Sequence, residues 1–152
     1  MTLDASVRTL LIADTNLMNL LTGGVYTWDV TGKLFISRDN TATSAAFDTN
    51  GVLKPCCMVK IRSSVPVEAL TDPLPLQGER SALELWFYQD NGYDTIESAK
   101  QRAFKLLHET CLDGYTLFHA GAPFQRTYTE EDFGGAFLIR SDYRATRVNT
   151  GD

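Results

Sequence analysis

The chain has 152 residues, 43% of them hydrophobic and 22% charged, a size and balance that fit one packed domain and exclude a wholly disordered chain. Its formal charge of −5 argues against a sequence-independent grip on nucleic acid, which needs a basic surface to displace counterions. No apolar run of about 18 residues occurs that could make a transmembrane helix, and the start MTLDASVRTLL lacks the pattern of a secretory signal, so the expected compartment is the cytosol.

The first predicted element is a helix. Val7, Leu10, Leu11, Leu17, Leu20 and Leu21 recur at three- and four-residue spacing, with a break near Asp14 where Asp14-Thr15-Asn16 restarts the helix. Thr2 or Asp4 can accept from the free N–H groups at its start, and Gly23-Gly24 ends it by tolerating a left-handed turn. Residues 25–28 read as a short strand. Residues 29–54 are polar and turn-rich. Within them 33–37 have a strand pattern, and Asn50-Gly51, between 45–47 and 52–53, is a hairpin signal because both turn positions want positive φ. The region reads as a β-hairpin excursion.

Residues 56–65 make the first strong strand, with Cys57, Val59, Ile61 and Val65 on one face and Lys60, Arg62 and Ser64 on the other. Residues 66–79 read as a long loop. Pro66, Pro73 and Pro75 punctuate it, and Val67, Leu70, Leu74 and Leu76 make it too apolar for simple disorder. It docks either on its own domain or on a neighbouring subunit. The second strong strand, 81–89, sets Leu83, Leu85 and Phe87 against Glu84, Trp86 and Tyr88. Bulk on both sides marks a central strand covered on both faces, at least in an assembled form. After Asp90-Asn91-Gly92 comes a helix in which Asp94 caps and Glu97 follows three residues later, with an apolar stripe of Ile96, Ala99, Ala103, Phe104, Leu106 and Leu107. Asp113-Gly114 closes it. Strand candidates at 115–119, 124–128 and 135–143 read as a meander, and 146–152 as a flexible tail behind a single domain over 1–145. The fold class is α+β: a mostly antiparallel sheet packed against an N-terminal helix and a central helix, with the hairpin excursion and the long loop.

A search for chemistry finds little. The three cysteines, Cys56, Cys57 and Cys111, do not make a disulfide framework, and the adjacent pair cannot bridge at normal Cα separation. All three read as small hydrophobes in the core. His108 and His119 have no partner at zinc-ligand spacing. His108 falls in the last turn of its helix, where a cation suits the dipole. Glu130-Glu131-Asp132 reads as a solvated turn, and Arg140, Arg144 and Arg147 as solvated charges on a strand end and tail. Glu84 is expected to pair across the sheet with Lys60 or Arg62. No catalytic, metal or cofactor site is expected, and no cofactor.

The order of elements carries a resemblance. A helix ends in Leu20-Leu21-Thr22-Gly23-Gly24 and a short Val25-Tyr26 strand follows. Pro55 opens a strand holding Met58-Val59-Lys60-Ile61. Then come Ser81-x-Leu83-Glu84-Leu85-Trp86-Phe87, the Gly92-Tyr93 start of a helix with Ala99 and Leu106-Leu107, and an alternating last strand over 136–143. From Val7 to Tyr143 this resembles the tail-terminator and tail-completion proteins of long-tailed bacteriophages. The excursion at 29–54 and the loop at 66–79 are longer than the family's. The resemblance implies a hexameric ring that caps the tail tube, with the tail-tube protein and a neck or head-completion protein as partners and DNA passing through without specific binding. It implies a place in the tail-neck of a virion assembled in the host cytoplasm, and no enzymatic role. A head-closure or stopper protein is the alternative, and a small ligand-binding domain or enzyme a remoter one. Leu70, Leu74, Leu76, Trp86 and Tyr88 are the expected subunit contacts. Arg38 and Asp39 are expected to meet the tube or the neck.

Overall fold

The computed structural model describes residues 2–69, 76–120, 127–130 and 136–149, of which 63–69, 76–78, 127–130 and 148–149 are described in backbone alone. The N-terminal helical pattern is two helices, α1 (Leu3–Ile12) and α2 (Thr15–Leu20). The break falls at Asp14, whose carboxylate accepts the Leu17 N–H at 2.7 Å and so caps α2. Arg102 clamps the same carboxylate from the central helix, with its Nη2 2.6 Å away. Gly24 turns the chain out at φ +98°, while Gly23 is required for space: a Cβ there would lie 2.9 Å from the carbonyl oxygens of Lys54 and Pro55.

One sheet of seven strands organises the fold, in the order β1-β2-β3-β7-β5-β4, with β6 also on β7. The short β1 (Gly24–Tyr26) runs parallel to β2 (Cys56–Ala69); every other pairing is antiparallel. The α+β class and the two strong strands are as expected. The 66–79 loop is not. β2 continues to Ala69 and β3 (Leu76–Gln89) begins at Leu76, so most of that loop is the outer half of a long hairpin. Pro66 is tolerated for a physical reason. Past Met58, β2 is the edge of the described sheet, and Pro66 sits just beyond a bulge between Arg62 and Val65, where a missing N–H removes no ladder bond to a further strand. The tail expected from Thr146 is also strand as far as Asn149, since β7 (Ala136–Asn149) pairs with the same outer part of β3, ending at Gln77↔Asn149.

The central helix α4 (Asp94–Leu107) is where the sequence places it, but its cap is not Asp94. Tyr93 is the N-cap and Gln89, from the end of β3, supplies the acceptor. Its Oε1 takes the Thr95 and Ile96 N–H groups at 3.1 Å each, and its amide nitrogen donates to Asp94 at 2.8 Å. Asp113-Gly114 does not close the helix, which ends at Leu107. With φ of 51° and 78°, these two residues form the tight turn between β4 (Cys111–Leu112) and β5 (Tyr115–His119), the turn that twists correctly for a two-residue hairpin. Cys111 is exposed there, not in the core. Nor do the last strands form a meander: β5 and β6 (Thr127–Glu130) both pair with β7, at different stretches of it.

The inner face of the sheet carries the main core. Cys57, Val59, Leu83, Leu85, Phe87, Ile139 and Tyr143 meet Val7, Leu11, Leu17 and Leu21 from α1 and α2, and Ile96, Ala99, Ala103 and Leu107 from α4. Each fully buried Leu or Phe of this set contributes about 1.5–3 kcal/mol. A second core lies on the other face. Cys56, Met58, Trp86, Tyr88 and Leu138 pack under Tyr26, Ile36, Ala46 and Leu53. The excursion is therefore a lid of irregular chain. It contains one helical turn, α3 (Trp28–Thr31), a 3₁₀ turn (Ser44–Ala46) and, around Asn50-Gly51, a hairpin reduced to the single antiparallel bridge Phe47↔Leu53. Two backbone bonds flank the bridge, from the Lys54 N–H to the Ala46 carbonyl at 2.7 Å and from the Asp48 N–H to the Val52 carbonyl at 2.9 Å, and the Asp48 carboxylate holds the turn by accepting the Asn50 and Val52 N–H groups at 2.8 and 2.9 Å. Residues 33–37 form no strand. The Thr43 hydroxyl accepts the Ser37 N–H at 3.1 Å and the Asn40 amide donates to the Thr31 carbonyl at 3.0 Å, folding the segment back on itself.

Candidate interaction surfaces

The outer face of β3 divides into three zones along the strand. At its C-terminal end Tyr88 is buried by the chain's own excursion, so it is not available to a second subunit in this arrangement. Trp86 marks the boundary. The Lys60 ammonium lies 3.8 Å from its ring centroid and the Arg140 guanidinium carbon 5.5 Å away, a cation–π arrangement at the rim of the second core. Beyond Trp86 the rows of the sheet are charged: Lys60, Glu84 and Asp142 stand abreast, and Arg62, Ala82, Arg144 and Phe118 follow.

Glu84 is the centre of this zone and is only 3% exposed. The Trp86 indole N–H donates to its Oε1 at 3.0 Å, Arg62 Nε lies 3.0 Å from Oε2, and Arg140 Nη2 lies 3.6 Å away. Arg140 in turn makes a two-pronged pair with Asp142, 2.8 Å on each arm. The pairing with Arg62 is legible from the strand alternation. The share taken by Arg140 needs the order β3-β7, which no local pattern reveals. The three arginines near the C-terminus also separate: Arg140 and Arg144 lie on the outer face, whereas Arg147 lies on the inner one, 2.6 Å from Glu79 and over the Tyr115 ring.

The titratable groups point to structure. Among the described residues no three His, Cys, Asp or Glu side chains converge as a metal site. His108 Nδ1 accepts the His119 backbone N–H at 3.1 Å and the His108 ring stacks on Phe104 at 4.7 Å. His119 packs edge-on to Phe104 and Tyr143. Burial, then the proximity of His108 and Lys100, holds its pKa below the usual imidazole value. Burial raises the thiols of Cys56 and Cys57, which disfavours the reactive thiolate. Burial likewise pushes the Tyr143 phenol up to about 12.

Leu70 and Leu74 lie outside the described residues, and Leu76 opens β3 opposite Ala69. Arg38 and Asp39 are exposed on the excursion, Arg38 with its guanidinium carbon 5.3 Å from the Phe47 ring centroid. Their neighbours were not legible as surface. Trp28, read as strand, opens α3 and is 54% exposed, and Phe35, also read as strand, is 50% exposed. Val30 and Leu34 are exposed between them in sequence, and Val52 is exposed further along the excursion. The signal was present in the apolar Leu34-Phe35 pair inside a polar, turn-rich stretch. Among the described residues no helix is long and apolar enough to cross a membrane.

No family model and no curated protein matches the chain. Among solved structures it is similar to a chain of the virion of native gene transfer agent (GTA) particle, with a TM-score of 0.62 and 16% identity over 97% of this chain and 96% of that one. The two share a fold along nearly their whole lengths.

Proposed function

We propose that this chain is a structural protein of a phage-type virion, and specifically a tail terminator that closes as a hexameric ring on the last ring of the tail tube and joins the tail to the neck. The observation that carries the reading is the shared fold with a chain of a gene transfer agent virion, end to end on both sides. The exposed apolar side chains of the excursion support it, because a ring protomer needs a surface that its own fold leaves uncovered. A ring component needs no active site. Its partners are further copies of itself, the tail-tube protein and a neck protein, and DNA passes through without specific binding.

Native mass spectrometry of the purified chain should give a six-subunit mass. Loss of the gene should give abnormally long tails. Finished tails of normal length beside filled heads that leak DNA would replace the terminator reading with a head-closure role.

A further inference from the structure

We propose that the outer face of the sheet beyond Trp86 is a sequence-independent binding surface for single-stranded nucleic acid, with phosphate held among Arg62, Arg80 and Arg144 and a base against Phe118. The proposal goes beyond the ring reading and does not rest on it.

The chain as a whole is acidic, at −5, and its total charge predicts no grip on nucleic acid. The fold redistributes that charge. From the Trp86 row to the Arg80 row, the antiparallel register gathers five cations on the outer face: Lys60, Arg62, Arg80, Arg140 and Arg144. Two carboxylates, Glu84 and Asp142, stand among them, so the described part of this face carries an excess of three positive charges. Both carboxylates are already engaged. Glu84 is buried and held by Arg62, Arg140 and the Trp86 indole, and Asp142 takes both arms of Arg140.

Ala82 lies at the centre of the exposed cations. Arg62 and Arg144 are its cross-strand neighbours on β2 and β7, and Arg80 stands two residues along β3. At the spacings of a pleated sheet their Cα atoms lie about 5–7 Å from that of Ala82. Arg80 and Arg144 are exposed, and among the described residues neither makes a hydrogen bond or an ion pair. Arg62 commits its Nε to Glu84, yet its side chain is 63% exposed. Ala82 is itself exposed and projects only a methyl group between the three guanidiniums. Guanidinium forks match the oxygens of a phosphate.

Phe118 decides which polyanion the face fits. It follows Arg144 in the same row of the sheet, on β5, and is 38% exposed. An acidic polypeptide carries no base to place against it. A nucleotide brings a base with its phosphate, and any base stacks on an aromatic side chain whatever the sequence. The bases of a single strand are free to do so, whereas those of a duplex remain stacked on one another.

Fluorescence anisotropy of a labelled oligothymidylate, titrated with the full-length chain over a series of salt concentrations, tests this. Three phosphate contacts predict that log K falls with log salt at a slope of about −2. Arg80→Gln and Arg144→Gln should each reduce the steepness of that slope by about 0.7. Phe118→Leu should leave the slope unchanged and weaken binding roughly tenfold, and Phe118→Tyr, which keeps the ring, should bind as the parent does. Near-ultraviolet circular dichroism checks the fold of each variant. No binding by the parent at low salt, or binding that the arginine variants leave unchanged, overturns the proposal. So does a labelled polyglutamate that binds as tightly as the oligothymidylate, which gives the face to an acidic protein surface. A duplex that binds more tightly than the single strand overturns it too, because it removes Phe118 from the contact. None of these results bears on the ring, whose six-subunit mass is read without nucleic acid.

Discussion

Replacing Glu84 measures what holds the outer face of the sheet. The carboxylate is almost fully buried, and its three donors are unequal. Arg62 is exposed over most of its side chain, so that arm is screened and contributes no more than about 1 kcal/mol. Arg140 keeps its two-pronged pair with Asp142 when Glu84 is lost, and is not orphaned. The Trp86 indole N–H has its partner in Glu84 at 3.0 Å, and a bond from a buried donor to a charged acceptor is worth about 1.5–3 kcal/mol. Glu84→Ala should therefore destabilise by about 3 kcal/mol, read in urea as a lower midpoint at unchanged slope, or as a melting temperature lower by roughly 6–12 °C for a chain of this size. Glu84→Gln retains an acceptor for the indole and should lose only about 1 kcal/mol. High salt should shrink the Glu84→Gln effect and leave most of the Glu84→Ala effect, because only the exposed arm is screened. A loss below about 1 kcal/mol in Glu84→Ala, or equal losses in the two variants, would refute the assignment of the indole bond as the main contribution.

Gly23→Ala places a Cβ 2.9 Å from two carbonyl oxygens of the 54–55 backbone, and chemical denaturation should show a loss of about 1–3 kcal/mol, the range for overpacking against a backbone that cannot yield. Asp14 is held below the ordinary carboxylate value of 3.8, first by the Arg102 hydrogen bond and then by the Leu17 N–H. Its contribution is complete above the unfolded value and is lost as pH falls through the folded one, so Asp14→Asn should flatten the fall of stability with pH below about 4, in a series of melts from pH 5 to pH 2. Thiol labelling of the folded chain should modify Cys111 alone, with Cys56 and Cys57 reacting only after unfolding; two or more fast thiols would contradict their burial.

The legible parts of the fold were those where one residue type has one local meaning. The alternation of Leu83, Glu84, Leu85, Trp86, Phe87 and Tyr88 gave a two-faced central strand, and the 94–107 stripe gave the helix beneath it. The misread parts were those where the same signal has two physical uses. Proline breaks an inner strand but is harmless on an edge, which hid the outer half of the β2–β3 hairpin. Asp113-Gly114 stops a helix or turns a hairpin with equal ease, and only the pairing of β4 with β5 decides between them. Asn50-Gly51 does turn the chain back, but the hairpin is a single bridge, Phe47↔Leu53, and the strand pattern read at 33–37 is no part of it. Gln89 caps α4 from the preceding strand, at a distance that no capping-box pattern encodes. Of the expected contact residues, Arg38 and Asp39 fall on the exposed excursion, while Tyr88 lies beneath it.

That last difference moves the question of assembly from one element to another. A strand with bulk on both faces needs two covers, and here the chain provides both: helices on the inner face, and on the outer face the excursion followed by a paired band around Glu84. Covering Tyr88 and Met58 with an irregular segment has a consequence of its own. Residues 28–52 are too few to make a layer with a core, so each apolar side chain must point either down onto the sheet or out to water. Ile36, Ala46 and Leu53 point down; Trp28, Leu34 and Phe35 point out. The apolar surface that the strand would have offered to a partner is thus passed to the back of its own cover, carried at one end of the molecule while the long hairpin extends from the other.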